Sequence, residues 1–255
     1  MNNVFYYDTS FEGLLCVVFE AYVQKQFPDE LLPEGTPAPL FVEREFHVPT
    51  QEERSRRVWA ALEKKLSPAA RRGLEMVWLS GIPGTDMLLF RYIRKTLDAK
   101  TSVETDFGDP DVLRFAQLCH KVSREAMRLK QFARFQKAAD GTYFAAVEPE
   151  YDVLPLVVNH FADRFSDQPW LLYDLRRNYG FYYDLHDLRE VVLEDSPLLR
   201  SGRLGEAQMA DGERQWQQLW KTYFKSIAIR ERLNPRLHKQ NMPMRFWRHL
   251  TEKQD

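Results

Sequence analysis

Apolar side chains recur every three or four residues through several stretches of the chain, which is the spacing of amphipathic helices. The longest stretch runs from Asp109-Pro110 to about Lys137 and predicts one long central helix, since proline suits a first helical turn. Its expected core stripe is Phe115, Leu118, Val122, Ala126, Leu129 and Ala133. Earlier helices are predicted from capping boxes at Thr9/Glu12 and Thr50/Glu53, from Ser67-Pro68, and over 86–97.

Branched and aromatic residues predict short strands between these helices. The predicted strands cover 4–7, 41–48, 142–147, 169–174, 179–184 and 188–194, while the proline-rich stretch 28–39 is predicted to be a loop. Residues 175–178 are expected to close a hairpin, and 152–165 to form another helix. This order predicts an α+β fold that is mostly helical, with a small antiparallel β-sheet.

The chain has 255 residues, enough for one large domain or two small ones. We predict a mainly helical N-terminal region over 1–83 and an α+β domain over 84–255, with the polar stretch 98–108 as the predicted linker. No leader pattern or membrane-length apolar run is present, so a cytoplasmic location without membrane contact is expected. Cys16 and Cys119 show no metal-ligand spacing and are expected to be reduced thiols, with no bound metal or cofactor.

Positive charge is concentrated in one window, 216–250, although the whole chain has a net charge of −1. Its cations are Lys221, Lys225, Arg230, Arg232, Arg236, Lys239, Arg245 and Arg248, against the single acid Glu231. This imbalance indicates either a polyanion-binding patch or a solvated face. An apolar stripe at helical spacing, Trp216, Trp220, Tyr223, Phe224 and Ile227, is predicted to pack into the core. Asn234-Pro235 is expected to stop that helix, and Pro243 to open a last short one.

The predicted long helix carries two further basic rows beside its core stripe. The rows are Lys121, Arg124 and Arg128 on one side and Lys130, Arg134 and Lys137 on the other. Phe132 and Phe135 are expected near these arginines, where they either stack on bases or are covered by a neighbouring element. The predicted nucleic-acid-binding residues are Arg124, Arg128, Lys130, Arg134, Lys221, Lys225, Arg230, Arg232, Arg236 and Arg245.

Evidence for catalysis is sparse, and whether the chain is an enzyme is left open. No phosphate-binding loop, dinucleotide fingerprint, nucleophile elbow or zinc-protease helix is present. Glu125, flanked by Arg124 and Arg128, is expected to orient both arginines through salt bridges. An alternative is a pocket between the long helix and the sheet, ringed by Glu125, Arg128 and His160, with Glu125, His160 and Tyr183 as candidate catalytic groups. Other candidate carboxylates are Glu148, Asp174 and Asp184.

Several long segments resemble one bacterial family described as DNA repair or DNA metabolism proteins, whose shared region is domain of unknown function 4130. The segments are VSREAMRLKQFARFQ, YFAAVEPEYDVLPLVVNHFADRF, DQPWLLYDLRRNYGFYYD and WKTYFKSIAIRERLNPRLHKQNMPMRFWRHLTE. The opening YDTSFEGLLCVVFEAY resembles the start of stand-alone members. The resemblance implies that such members accompany a radical-SAM protein, and that a related region is fused to a uracil-DNA glycosylase-like domain.

The chain departs from that family pattern at Met127, where related members often carry histidine. The position therefore cannot bind a metal or transfer a proton as histidine would. It also lacks the glycosylase motifs and the three-cysteine motif of radical-SAM enzymes, which implies that a partner performs either reaction. We therefore expect a DNA-binding accessory protein that works with a radical-SAM partner. The alternatives are an enzyme acting on nucleic acid and a purely structural partner subunit.

Overall fold

A computed structural model describes residues 3–194, 201–227 and 234–254. The chain forms two compact units, Met1–Ser123 and Arg124–Asp255, and the change from one to the other falls within the longest helix. The division of the sequence into 1–83 and 84–255 stays a prediction.

The described residues form both helices and short strands. The α-helices are α1 Phe11–Gln24, α2 Glu52–Lys65, α3 Pro68–Trp78, α4 Thr85–Asp98, α5 Pro110–Phe132, α6 Leu154–Arg164, α7 Glu213–Ser226 and α8 Pro235–Asn241. The strands are β1 Asn3–Tyr7, β2 Glu30–Pro33, β3 Arg44–His47, β4 Gln136–Lys137, β5 Tyr143–Val147, β6 Trp170–Asp174, β7 Tyr179–Tyr183 and β8 Leu188–Val191. Short 3₁₀ helices cover Glu206–Gln208, Met244–His249 and Thr251–Lys253.

The first unit is built on a three-stranded sheet in the order β2-β1-β3, in which both pairings are parallel. Parallel strands need a crossover connection, and α1 supplies it between β1 and β2. Ser10 caps α1 by accepting a 2.9 Å hydrogen bond from Gly13 N. The helix then buries Leu14, Val17 and Val18 in a core that α2, α3 and α4 also line.

The second unit contains a five-stranded mixed sheet in the order β4-β5-β6-β7-β8. The strands β5 and β6 run parallel because α6 crosses between them, whereas β6 and β7 form an antiparallel hairpin. Gly180 on β7 lies so close to β6 that an added Cβ would approach Leu172 O to 2.5 Å. The close approach explains a glycine inside an otherwise aromatic strand.

The α+β prediction is confirmed, but the expected antiparallel sheet is wrong in two places. The first sheet is entirely parallel, and the second contains the parallel pair β5–β6. The proline-rich stretch predicted as a loop contains β2, in which Leu31 is buried and Pro33 occupies the strand end. Side-chain alternation reports a strand but not the direction of its neighbour, so the sequence pattern could not separate the two sheet types.

The predicted helix starts need two corrections. Ser10, rather than Thr9, caps α1. Gln51 precedes α2 without a side-chain cap, because the Thr50 hydroxyl donates instead to Asp8 at 2.8 Å. The third predicted start is confirmed: Ser67 accepts from Ala70 N at 3.1 Å, with proline in the first turn of α3.

The long helix α5 ends at Phe132, five residues before the predicted end at Lys137. The residues just beyond it cannot remain helical, because Gln136–Lys137 pair with β5 as strand β4. The predicted burial of Val122, Ala126 and Leu129 is confirmed.

The two phenylalanines expected near the arginines of α5 are covered by other aromatic side chains. Phe132 contacts Phe246 with ring centroids 5.2 Å apart. Phe135 makes edge contacts with Phe161 at 5.7 Å and with Trp170 at 6.2 Å. Of the two interpretations of this pair, packing inside the second unit is the one that the structure supports.

Candidate nucleic-acid interface

The C-terminal part of α5 and the C-terminal turns of the chain bring three guanidinium groups close together. Arg124 and Arg128 lie one helical turn apart, and Arg245 approaches them from the 3₁₀ helix. The pKa of Arg128 is lowered, first by partial burial and then by the positive charges of Arg124 and Arg245. Glu125 and Glu150 act in the opposite direction without reversing the shift. The fold therefore holds like charges together at a partly exposed place.

Glu125 lies beneath this cluster and is 2% exposed. Its Oε1 accepts from the backbone N of Glu150 at 2.9 Å, and its Oε2 accepts from Arg245 Nη2. Arg245 Nη2 also lies 3.7 Å from the Glu150 carboxylate. The expectation that Glu125 orients Arg124 and Arg128 is therefore wrong, because its ion pair is with an arginine 120 residues away.

A second buried carboxylate holds one of the predicted phosphate ligands. Arg134 donates to Glu252 through Nη2 at 2.7 Å and Nε at 3.3 Å, and the Glu252 side chain is 1% exposed. The indole N–H of Trp220 also donates to Glu252, at 2.9 Å. Burial raises the pKa of Glu252, but the bonds from Arg134, the backbone and Trp220 outweigh it and leave the pKa lowered. Glu252 therefore ties α7, through Trp220, and the residues after α5, through Arg134, to the C-terminal turns.

A third carboxylate, Glu148, follows β5 and pairs with two neighbouring C-terminal residues. Arg248 Nη1 lies 3.1 Å and His249 Nε2 lies 2.8 Å from its Oε2. Burial lowers the pKa of His249, although Glu148 acts to raise it. Much of the positive charge at the chain end is thus matched by acids that follow β5.

The segment after β5 is also fixed from the hairpin side by a residue that sequence reasoning passed over. Arg177 donates to Pro149 O at 3.2 Å and Glu150 O at 3.1 Å, and it pairs with Asp174 at 2.7 Å. Asp174 is fully buried, and burial raises its pKa despite these bonds. Tyr179 completes the arrangement by donating to Asp152. Asp174 is therefore a structural acceptor, and nothing about its position gives it access to a substrate.

Six of the predicted nucleic-acid-binding cations have no ion pair within the described residues. They are Arg124, Arg128, Lys130, Lys221, Lys225 and Arg236. Arg134 and Arg245 are paired with the buried acids, and Arg230 and Arg232 lie outside the described residues. The guanidinium of Arg128 makes one long contact, 3.5 Å to Gln240 O on α8. Assignment of these cations to phosphate contacts stays a prediction.

The predicted burial of the aromatic stripe on α7 is wrong. Trp216 is 70% exposed, Trp220 40%, Tyr223 54% and Ile227 54%, and no residue of α7 is buried. Within the stripe only Phe224 is half-buried, and its ring centroid lies 4.9 Å from the ammonium of Lys253. Helical spacing identified the residues that share a face, but it could not indicate whether another element would cover that face.

The candidate catalytic groups do not form one constellation in the described chain. His160 is exposed on α6 and touches Phe161 edge-on at 5.6 Å. Tyr183 is nearly buried and donates to Leu185 O at 2.8 Å. No hydrogen bond or ion pair among the described residues joins either of them to Glu125. Their catalytic roles stay predictions without a shared geometry.

A groove of about 590 Å³ lies beside α8. Its walls include Phe132, Leu237, His238 and Met242, so it is lined by residues other than Glu125, Arg128 and His160. No cluster of three metal-ligating side chains occurs among the residues that the structure describes. Within the same ranges, no helix is both long enough and apolar enough to cross a membrane.

The acid partners were the part of this surface that sequence reasoning missed. Glu148 and Glu150 were visible as a Glu-Pro-Glu turn after a predicted strand, and Glu252 as an acid beyond the basic window. Glu252 pairs with Arg134, which is 118 residues away, and Glu148 pairs with Arg248 and His249, which are 100 and 101 residues away. Local spacing carries no information about such pairings.

Comparison with known proteins identifies a family for the second unit and part of the first. The family model described as "Domain of unknown function (DUF4130)" matches residues 83–252. No curated protein matches the chain. One solved structure that matches this chain is a pGpG-specific phosphodiesterase, PggH from Vibrio cholrae. The two share 11% sequence identity and a TM-score of 0.39, and the match covers 89% of this chain and 100% of that chain. That likeness is too low to support an argument about fold or activity.

Proposed function

We propose that this chain, which belongs to the DUF4130 family of domains of unknown function, is a nucleic-acid-binding accessory protein of DNA repair or DNA metabolism. The observation that supports binding is the pair Arg124 and Arg128, which lies beside Arg245 at a partly exposed place and has no ion pair within the described residues. Mutual repulsion between guanidinium groups costs free energy in the free protein. A bound phosphate would relieve that cost, so the arrangement suits a polyanion.

The proposed contact is made by fixed charge and is independent of base identity. Phosphate contacts position a protein on nucleic acid, while base edges carry sequence information. The six cations without ion pairs supply the charge, and the acids Glu125, Glu148 and Glu252 hold the remaining arginines as part of the scaffold. We therefore expect binding that depends strongly on salt and weakly on sequence.

A salt titration of labelled duplex and single-stranded DNA tests this proposal. If about five cations contact phosphates, the log–log slope of affinity against salt should be roughly −4.5 for duplex and −3.5 for a single strand. Replacing Arg124 and Arg236 together by Glu should lower the affinity. It should also make the slope shallower by roughly 1.8 on duplex and 1.4 on a single strand, through the loss of two contacts.

The matched control reverses two exposed cations of the first unit, Lys64→Glu with Arg72→Glu. It changes the net charge by the same amount but lies outside the residues that the family model matches. Equal weakening by both double variants would indicate a general charge effect and would count against the patch. Absence of binding to either DNA at low salt would reject the proposal.

The resemblance stated above also motivates a radical-SAM protein as the proposed partner. The chain carries no three-cysteine motif of its own, so any radical chemistry must belong to another protein. Co-purification of the chain with a neighbouring radical-SAM protein, with and without DNA, is the direct test. Failure to co-purify in both conditions would remove the partner but leave the nucleic-acid proposal standing.

A further inference from the structure

The groove beside α8 lies between that helix and the end of α5, and both walls belong to the second unit. Its apolar part is formed by Phe132, Pro235, Leu237 and Met242, of which Leu237 is half exposed. Its volume of about 590 Å³ lies within the range of roughly 300–1,000 Å³ that is usual for small-ligand sites. The groove therefore has the size and the apolar lining of a ligand site.

The polar groups of the groove are mostly side-chain amides. Gln131 contributes one from α5 and Asn241 one from α8, and neither amide has a hydrogen-bond partner within the described residues. His238 also lines the groove, and burial followed by the charge of Lys253 lowers its pKa, which favours the neutral imidazole. Amides and a neutral imidazole each offer both a donor and an acceptor. These groups suit a flat ring that carries donors and acceptors on its edge, as a nucleobase does.

Positive charge lies directly beside the α5 wall. Arg128 precedes Gln131 by three residues and Phe132 by four, so it shares their face of the helix. Its guanidinium lies 3.5 Å from Gln240 O, and the next residue on that chain segment, Asn241, lines the groove. None of the residues that line the groove is an acid. A ligand seated against Phe132 would therefore meet an arginine at one end and uncharged groups elsewhere.

Arg124 extends the same face of α5 by one further turn, and neither arginine has an ion pair within the described residues. The nearby acids, Glu125 and Glu150, lie against Arg245 instead. The cations of α8 are not part of this arrangement, because helical spacing places Arg236 and Lys239 on the side away from Leu237 and Asn241. The charge at the groove therefore comes from α5 alone.

This placement of charge favours an anionic ligand over a second copy of the chain. A symmetric contact through the same face would bring Arg124 and Arg128 of one copy against those of the other. It would add to the repulsion from Arg124 and Arg245 that already contributes to the lowered pKa of Arg128. A ligand with one flat ring and one phosphate matches the apolar wall, the amides and the arginine together.

We infer that the groove beside α8 binds a single nucleotide, with its base against Phe132 and Leu237 and its phosphate on Arg128. The inference deepens the proposed function, on which it rests for the assignment of Arg128 to phosphate. A free nucleoside 5′-monophosphate and a nucleotide turned out of a DNA strand present the same chemistry. The two sources are separated by the choice of probe.

The first experiment compares a nucleoside 5′-monophosphate with its two parts, the nucleoside and ribose 5-phosphate, by isothermal titration calorimetry. The monophosphate should bind roughly tenfold or more tightly than either part, because only it engages both Arg128 and the groove. Arg128→Gln should remove the advantage over the nucleoside. Gln131→Trp fills the groove from an exposed position and should remove the advantage over ribose 5-phosphate.

The second experiment uses three DNA duplexes: fully paired, with one bulged nucleotide, and with that bulged nucleotide made abasic. If the groove takes a base from DNA, the bulged base should raise the affinity roughly five- to 150-fold over the abasic bulge. Gln131→Trp should abolish this difference. Asn241→Trp fills the groove from α8 and should act in the same way, while Gln218→Trp on exposed α7 is the matched control and should change nothing. Thermal unfolding should be close to wild type in all three variants.

A base-dependent gain in either experiment, lost in both groove-filling variants, supports the site and identifies its source. No such gain with mononucleotides or with bulged DNA would overturn the inference. Wild-type affinities in Gln131→Trp and Asn241→Trp would do the same. A wild-type dimer in ultracentrifugation that Gln131→Trp dissociates would assign the groove to a second copy instead.

The proposed function and this inference fail in different ways. If Arg124→Glu with Arg236→Glu weakens DNA binding while the groove-filling variants leave every affinity unchanged, the basic surface stands and the nucleotide site falls. If the chain binds neither duplex nor single-stranded DNA but binds mononucleotides in a manner that Gln131→Trp abolishes, the nucleotide site stands and the DNA proposal falls.

Discussion

Helices α1 and α7 have the same length, fourteen residues, and opposite relations to the protein. Seven residues of α1 are buried, whereas no residue of α7 is buried. Both helices carry apolar side chains at helical spacing, and the stripe of α7 was predicted to pack into the core. The difference lies in their neighbours: α1 packs with β1, α2 and α4, while α7 has its main contact with the short 3₁₀ helix Thr251–Lys253.

Periodicity shows which residues share a face of a helix, but it carries no information about what packs against that face. The stripe of α1 continues nearly all round the helix, as expected for an element with neighbours on several sides. That of α7 is confined to one face, and the opposite side is polar. An aromatic stripe on one face of a helix is therefore compatible with a core position or with a binding surface. Which of the two it is depends on whether another element packs against that face.

The largest difference in stability is expected when leucine is replaced by alanine in each of the two helices. Leu14→Ala in α1 should lower the free energy of unfolding by about 3–5 kcal/mol, because a fully buried side chain leaves a cavity. Leu219→Ala in α7, where the side chain is 59% exposed, should change it by less than about 0.5 kcal/mol. Denaturant unfolding of both variants measures the difference, and equal losses would show that the face of α7 is covered in solution.

The next effect concerns the attachment of α7 to the C-terminal turns. Glu252→Gln should cost about 2–3 kcal/mol, because Arg134 loses its charged partner and an amide cannot accept from both Arg134 and Trp220 as a carboxylate does. Denaturant unfolding measures the loss. The control is Glu213→Gln, which changes charge by the same amount in the first turn of α7 and should have little effect. An unchanged Glu252→Gln variant would contradict the anchoring role.

A smaller effect is expected from the indole N–H alone. Trp220→Phe keeps most of the ring but removes the donor to Glu252, and should cost about 1–2 kcal/mol. If Trp220 occupied the core position that the sequence pattern predicts, Trp220→Ala would cost about 3–5 kcal/mol through a cavity. At 40% exposure the ring leaves no such cavity. A loss above that of Leu14→Ala would restore the core interpretation.

Much of the fold followed from local patterns, because the residues that decide it are neighbours in sequence. The hairpin of β6 and β7, the start of α3 at Ser67 and the core stripe of α5 were all predicted from spacing and caps. Two helix starts were misplaced by one residue, and the larger failures were non-local. Strand direction and the ion pair between Glu125 and Arg245 depend on which elements meet, and no local spacing encodes that.

The candidate site shows the same division. The sequence identified the basic residues, but it could not distinguish those that pair with buried acids from those that stay without an ion pair. Arg134, Arg245 and Arg124 all lie in basic stretches of the sequence. Arg134 forms an ion pair with Glu252 and Arg245 with Glu125, whereas Arg124 has no ion pair within the described residues. A buried acid partner is visible only once the chain is folded.

The smallest predicted effect is a loss of stability in acid that should reach α7 and the C-terminal turns before α1. The first unit also holds carboxylates with a lowered pKa, Asp8 and Asp109, but their ordinary value is only 3.8. The pKa of His249 is lowered by burial, so the fold favours the neutral imidazole. The stability contributed by neutral His249 is present above the ordinary pKa of 6.5 and is lost as pH falls below that value. The negative charge of Glu148 limits this loss, whereas the positive charges of Arg248 and Arg203 add to it.

The pKa of Glu252 is lowered below its ordinary value of 4.5, so its contribution is present above that pH and is lost as pH falls through the folded value. Hydrogen exchange between pH 7 and pH 3.5 should therefore show α7 and the C-terminal turns opening before α1, whose buried face consists of apolar side chains and a thiol. His249→Gln should remove the part of the dependence near pH 6, and Glu252→Gln the part below pH 4.5. Acid opening of α1 at the same pH as α7 would contradict the assignment, because it would place the sensitive groups in the first unit.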